Sequence, residues 1–121
     1  PQTRLHSVMA LGKIGSSLSN GPLRRMLNDR EPNVRWDAAI ALAKQKDFIS
    51  RTILLDLLDR EYLNSFTNID EKERVKIILV AIKVSHFVGN EQLKLKLEGL
   101  KDSDPNLKIR EAARFELKKF L

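Results

Sequence analysis

Residues 32–42 read PNVRWDAAIAL, from Pro32 to Leu42, and the fold turns on how this stretch is read. Asp29, Glu31, Pro32 and Asn33 form a polar turn in which Pro32 suits the first helical position, where its missing N–H costs nothing. The spacing predicts a helix from Pro32 onward. Val34, Ala38, Ala41, Leu42 and Gln45 then fall at i, i+4, i+7, i+8 and i+11, one face of a 3.6-residue period that only Gln45 interrupts. A face of alanines admits a second helix at close range, so this helix is expected to be packed upon.

The same face recurs. Leu11 precedes Leu42 by 31 residues, and Thr3-Arg4, Ser7-Val8 and Ala10-Leu11 fall opposite Val34-Arg35, Ala38-Ala39 and Ala41-Leu42 without a gap. Ile109-Arg110, Ala113 and Leu117 repeat Val34-Arg35, Ala38 and Leu42 at a constant offset of 75. A looser copy, Arg74, Ile77-Ile78 and Val80-Ala81, fits at an offset of 39 but places Glu73 where Val34 stands. Between these helices a second pattern returns as Leu23-x-x-Met26-Leu27-x-Asp29, Leu54-x-x-Leu57-Leu58-Asp59 and Leu97-x-x-Leu100-Lys101-Asp102. The unit is a helix hairpin of about 31 residues, which cannot bury its apolar face alone and must stack on neighbours. The expected fold is all-α: an α-solenoid of about four stacked antiparallel hairpins forming one domain, with units near 1–18, 19–48, 49–88 and 89–121 and the first incomplete.

Arg4 to Gly15 (RLHSVMALGKIG) and Pro32 to Lys44 (PNVRWDAAIALAK) resemble the second helix of short HEAT-like repeats of the kind noted in phycobilisome lyases. The likeness is specific over the first half of the chain and loose over the second. It implies an α-solenoid whose second helices line an inner, partner-binding surface. It also implies a ladder that links an Asp in each intra-repeat turn to an Arg opening the second helix: Asp29 with Arg35, and Asp102 or Asp104 with Arg110. The sequence departs from the pattern at Thr3, Ser7 and Glu73, and the third unit carries about eight extra residues.

Composition narrows the function classes. At 42% apolar and 31% charged, 121 residues read as one soluble globular domain. No apolar run approaches the roughly 20 residues a bilayer span requires; the longest, Val75 to Val84, is broken by Lys76 and Lys83. The absence of cysteine removes disulfides, thiolate metal sites and thiol nucleophiles and leaves the compartment open. Pro1 leads straight into a helix without a hairpin partner, so the chain is expected to be a fragment or processed form.

Three motif-like stretches reduce to helix ends. Gly12-Lys13-Ile14-Gly15-Ser16-Ser17 lacks the G-K-[ST] order and preceding strand of a phosphate loop. Asp102-Ser103-Asp104-Pro105-Asn106 opens like a calcium loop, but Leu107 stands at the glycine position and Ala113 at the bidentate glutamate. Asn68-x-x-Glu71 reads as a capping box before a helix that is apolar nearly all round, as one buried on both sides should be. Arg24 and Arg25 read as solvated outer-face charges, and the stretch 60–68 as irregular, with Tyr62, Leu63 and Phe66 folded back over the hairpin. Arg114 and Glu116, at stacking positions in the last helix, are expected to cap the stack with polar groups.

Function should lie on the face turned away from the stack. Trp36, Asp37, Ile40 and Lys44 stand roughly opposite the Val34/Ala38/Ala41 stripe. Their register mates are Leu5, His6, Met9 and Lys13, then Val75, Lys76, Leu79 and Lys83, then Glu111, Ala112, Phe115 and Lys119. Two columns result: an apolar one of Met9, Ile40, Leu79 and Phe115, and a basic one of Lys13, Lys44, Lys83 and Lys119. A basic ridge beside an apolar strip suits an acidic or amphipathic peptide. The competing reading makes the lysines complements to helix C-terminal dipoles and the apolar column part of the stack. Trp36, the sole tryptophan, is expected on the exposed side as the binding anchor, or alternatively lies over the neighbouring repeat.

The net charge of +6 admits nucleic-acid binding along the inner surface, although basic residues spread over both faces and few aromatics accompany them. Trp36-Asp37 also invites comparison with helical-repeat enzymes that excise alkylated bases, which carry more groove aromatics than this chain, and lyase chemistry rests on fold likeness alone. His6 and His86 have no acid or nucleophile beside them in any repeat register. The reading is therefore a non-enzymatic protein-interaction module without cofactor, metal or small-molecule substrate.

Overall fold

The computed structural model describes residues 20–120, and the readings made above on Thr3, Arg4, Leu5, His6, Ser7, Met9, Leu11 and Lys13 lie outside them. The described residues contain seven α-helices and no strand: α1 (Asn20–Met26), α2 (Pro32–Lys44), α3 (Arg51–Leu57), α4 (Arg60–Asn64), α5 (Glu71–Ser85), α6 (Glu91–Ser103) and α7 (Leu107–Leu117). Short 3-10 turns at Phe48–Ser50 and His86–Val88 lead into the first helix of each following pair. Three hairpins result: α1 with α2, α3 with α5, and α6 with α7. The second helices α2, α5 and α7 pack side by side as one layer, and α3 packs against α6 in the other.

Local chemistry sets the boundaries. Pro32 occupies the first position of α2. Asp70, Asn90 and Asn106 cap α5, α6 and α7 by accepting from the backbone N–H of Glu73 (2.8 Å), Leu93 (2.9 Å) and Ile109 (3.2 Å). The cap of α5 is thus Asp70 rather than Asn68. Glu71, expected to close that box, instead accepts from Arg60 at 2.8 Å and Arg74 at 3.2 Å. Helix α2 ends in a Schellman motif in which the N–H of Asp47 reaches the carbonyl of Leu42 and that of Lys46 reaches Ala43, both at 2.9 Å. Lys46 takes the left-handed position there, with φ of 61°.

The alanine face is buried as its spacing requires. Val34, Ala38, Ala41 and Leu42 are at most 6% exposed and close on Leu23, Met26 and Leu27 of the first hairpin. The opposite flank of α2 enters a larger core running through α3, α5, α6 and α7, built on Leu54, Leu57, Ile78, Ile82, Leu93, Leu97 and Ile109. Burying flanks on both sides is what makes a helix in a stack depend on its neighbours.

The extra residues of the third unit are not irregular. They form α4, and Leu63 is fully buried while Tyr62 and Phe66 pack against the core, folded back as their apolarity demands. Helix α5 is not buried all round: Lys76, Val80 and Lys83 are exposed along one edge. Arg114 is exposed, but Glu116 is not a solvent-facing cap. It is 2% exposed and accepts from the His86 backbone N–H at 2.8 Å, with His86 Nδ1 at 2.6 Å. His86 therefore does have an acid beside it. The pair ties the end of α5 to α7, a role that repeat register could not reveal because the contact crosses units.

Candidate functional site

The arginine that opens each second helix recurs in space. Arg35, Arg74 and Arg110 each stand four residues after the N-cap position of their helix, at Glu31, Asp70 and Asn106. Each guanidinium turns back to a carbonyl of its own turn: Arg35 to Asp29 at 2.9 Å, Arg74 to Ile69 at 2.8 Å and Arg110 to Asp104 at 2.7 Å. The ladder thus contacts the aspartates through their backbone oxygens. Their carboxylates instead accept the N–H two residues on, Glu31 for Asp29 and Asn106 for Asp104, both at 2.9 Å. Asp104 is the member of the last turn, buried at 4% exposure; Asp102 is exposed and lies 3.6 Å from Lys101.

The link along the stack comes from a residue the pattern did not single out. Arg60, at the start of α4, donates to Asp104 through Nε at 2.7 Å and Nη2 at 3.3 Å, and through Nη1 to Glu71 at 2.8 Å. Its position in the extra segment hid it from repeat alignment. Arg24 is likewise not a free surface charge. It donates to the buried Asp47 through Nε at 2.7 Å and Nη2 at 2.9 Å, holding that carboxyl below the usual range against the opposing effect of burial.

Trp36 is corrected most. It is 5% exposed, with its ring edge-on to Phe66 at 5.1 Å and Tyr62 at 6.3 Å, and its Nε1 donates to the Tyr62 hydroxyl at 3.2 Å. The aromatic residues of the inserted segment cover the side that the isolated helix would have left open. Trp36 is a core anchor whose edge borders a groove.

That groove, of about 320 Å³, runs between α2 and α5. Asn33, Trp36, Asp37 and Ile40 line one wall and Glu73, Lys76, Ile77 and Val80 the other, with Leu57 beneath. Both walls follow i, i+3, i+4, i+7, so the groove tracks the helix axes. It brings together four expected residues, Trp36, Asp37, Ile40 and Lys76. The apolar column does not survive as drawn. Leu79 packs on the core, and Val80, 44% exposed, takes its place at the surface. Phe115 is 63% exposed but lines none of this groove.

The lysine column also divides. Lys44 and Lys83 are exposed one turn beyond the groove, continuing the stripes of Ile40 and Val80. Lys119 lies 5.0 Å over the Phe115 ring and 3.5 Å from Glu116, at a separate recess with Phe48 and Lys94. Asp37 has no hydrogen-bond or ion-pair partner among the described residues, and burial beside the indole and Ile40 pushes its carboxyl up.

Stacked two-helix units with an arginine closing each turn define the class as an α-helical repeat protein. A family model described as HEAT repeats matches residues 1–64, more than half of the chain, and the chain belongs to that family. No curated protein matches it. HEAT repeats generally mediate protein–protein interaction, and the family is typically a non-catalytic scaffold. No helix among the described residues is long and apolar enough to cross a membrane.

Proposed function

We propose that this chain is a non-catalytic interaction module that receives an amphipathic helical segment of a partner protein in the groove between α2 and α5. Acidic side chains of that segment reach Lys44 and Lys83. The observation that carries the reading is the apolar lining of the groove, Ile40, Ile77 and Val80 on its walls above the buried Leu57, beside exposed lysines. A helix laid there would cover apolar surface on both walls, the usual way an amphipathic helix is held. Asp37 and Glu73 on the walls weigh against a phosphate backbone following the same path.

The test uses a fluorescent helical peptide with leucines at i, i+3, i+4 and i+7 and glutamates only at the end that meets Lys44 and Lys83, titrated by anisotropy. Val80→Glu should weaken binding at least about tenfold, since a charge then enters the covered surface. Lys44→Glu/Lys83→Glu should weaken it and flatten its salt dependence. Leu95→Glu, at an exposed position outside the groove, should change little. Equal losses for Leu95→Glu and Val80→Glu would remove the groove from consideration. Tight, steeply salt-dependent binding of unrelated duplexes would replace the protein partner with nucleic acid.

A further inference from the structure

The groove is not uniform in charge along its length. Its walls carry two carboxylates, Asp37 and Glu73, with Lys76 as the one opposing charge, and none of the three is paired with another among the described residues. Seven residues after Asp37 comes Lys44, and seven after Lys76 comes Lys83. At 1.5 Å per residue, each lysine stands about 10 Å further along the axis on the same helical face. Neither has an ion-pair partner among the described residues. The site is therefore acidic on balance at the end nearer the starts of α2 and α5, and basic at the other.

We propose that the segment bound here is charge-bipolar: a helix carrying a lysine or arginine and an aspartate or glutamate two turns apart beside its apolar face, the cation opposite Asp37 and Glu73, the anion opposite Lys44 and Lys83. The proposal rests on the groove reading above and sharpens it. A uniformly acidic helix would cover Asp37 and Glu73 with Lys76 as their one counter-charge and place a further carboxylate near them. Such unpaired or like-charged contacts are strongly disfavoured once water is excluded. The same polarity sets the direction in which the segment lies, because turning it end for end brings like charges together.

Three helical peptides sharing one apolar stripe test this, with Lys and Glu seven residues apart, Glu at both positions, or Lys at both. The mixed peptide should bind at least about tenfold tighter than either of the others at low salt, the advantage shrinking as salt rises. In Asp37→Lys/Glu73→Lys the preference should pass to the doubly acidic peptide. Glu73→Gln, at an exposed side chain, should narrow the gap without unfolding the chain. If the doubly acidic peptide matches the mixed one on the wild type while Val80→Glu still weakens both, bipolarity is wrong and the groove stands. If Val80→Glu weakens none of the peptides, or none binds, both readings fall together.

Discussion

Trp36→Ala gives the sharpest test of how the stack is held. The wild-type ring is 5% exposed, meets two aromatic rings edge-on and donates one hydrogen bond to Tyr62. Truncating a buried tryptophan to alanine costs about 3–5 kcal/mol. Within that, the Tyr62 hydrogen bond contributes about 1 kcal/mol, and each edge-on ring pair about 0.5–1.5 kcal/mol beyond area. With a urea slope of about 2 kcal/mol/M for a domain of this size, the unfolding midpoint should fall by about 2 M. Circular dichroism at the helical band follows it, because the substitution deletes the only indole. A cycle of Trp36→Phe, Tyr62→Phe and the double variant should return a coupling of about 1 kcal/mol, isolating the indole–hydroxyl contact. A loss within about 0.5 kcal/mol, the range of an ordinary surface change, would refute the burial argument and restore Trp36 as an exposed anchor.

Three further outcomes are expected. The Asp47 carboxyl is held below its unfolded range chiefly by Arg24, so its stabilisation is complete above about pH 4 and is lost as pH falls through the lowered folded value. Asp47→Asn should therefore flatten the acid limb of melting temperature against pH, and an unchanged limb would deny the pairing. Arg60→Ala strips the buried Asp104 carboxylate of its cation and should cost about 3 kcal/mol. Hydrogen exchange should rise first in the turn 104–106, where uniform exchange across the chain would contradict a local clamp. Lys46→Gly relieves a left-handed backbone at the end of α2 and should raise stability by about 0.5–1 kcal/mol in urea titration; a loss would mean that the lysine side chain itself matters there.

How far each feature could be read in advance depended on the range of the interaction behind it. The packed face of α2 was legible because small apolar residues at helical spacing state their own burial, whatever lies opposite. The recurring arginine was legible for a related reason: it reaches only to its own turn, five or six residues back. The groove was half legible. Its α2 wall follows from one helix, but the opposite wall holds Val80 where the repeat register nominated Leu79, because facing walls of unequal helices need not be register mates.

By itself, then, the sequence determined the class of this protein, a stack of helical hairpins, since periodicity and repeat spacing are local properties that survive without coordinates. Only the tertiary structure decided that Trp36 is covered, that Arg60 rather than Arg110 reaches the Asp104 carboxylate, and that Glu116 is buried against His86. Each of those depends on a residue 26 to 44 positions away. Such contacts form only when hairpins dock, and an inserted helix such as α4 changes them without disturbing the pattern on either side.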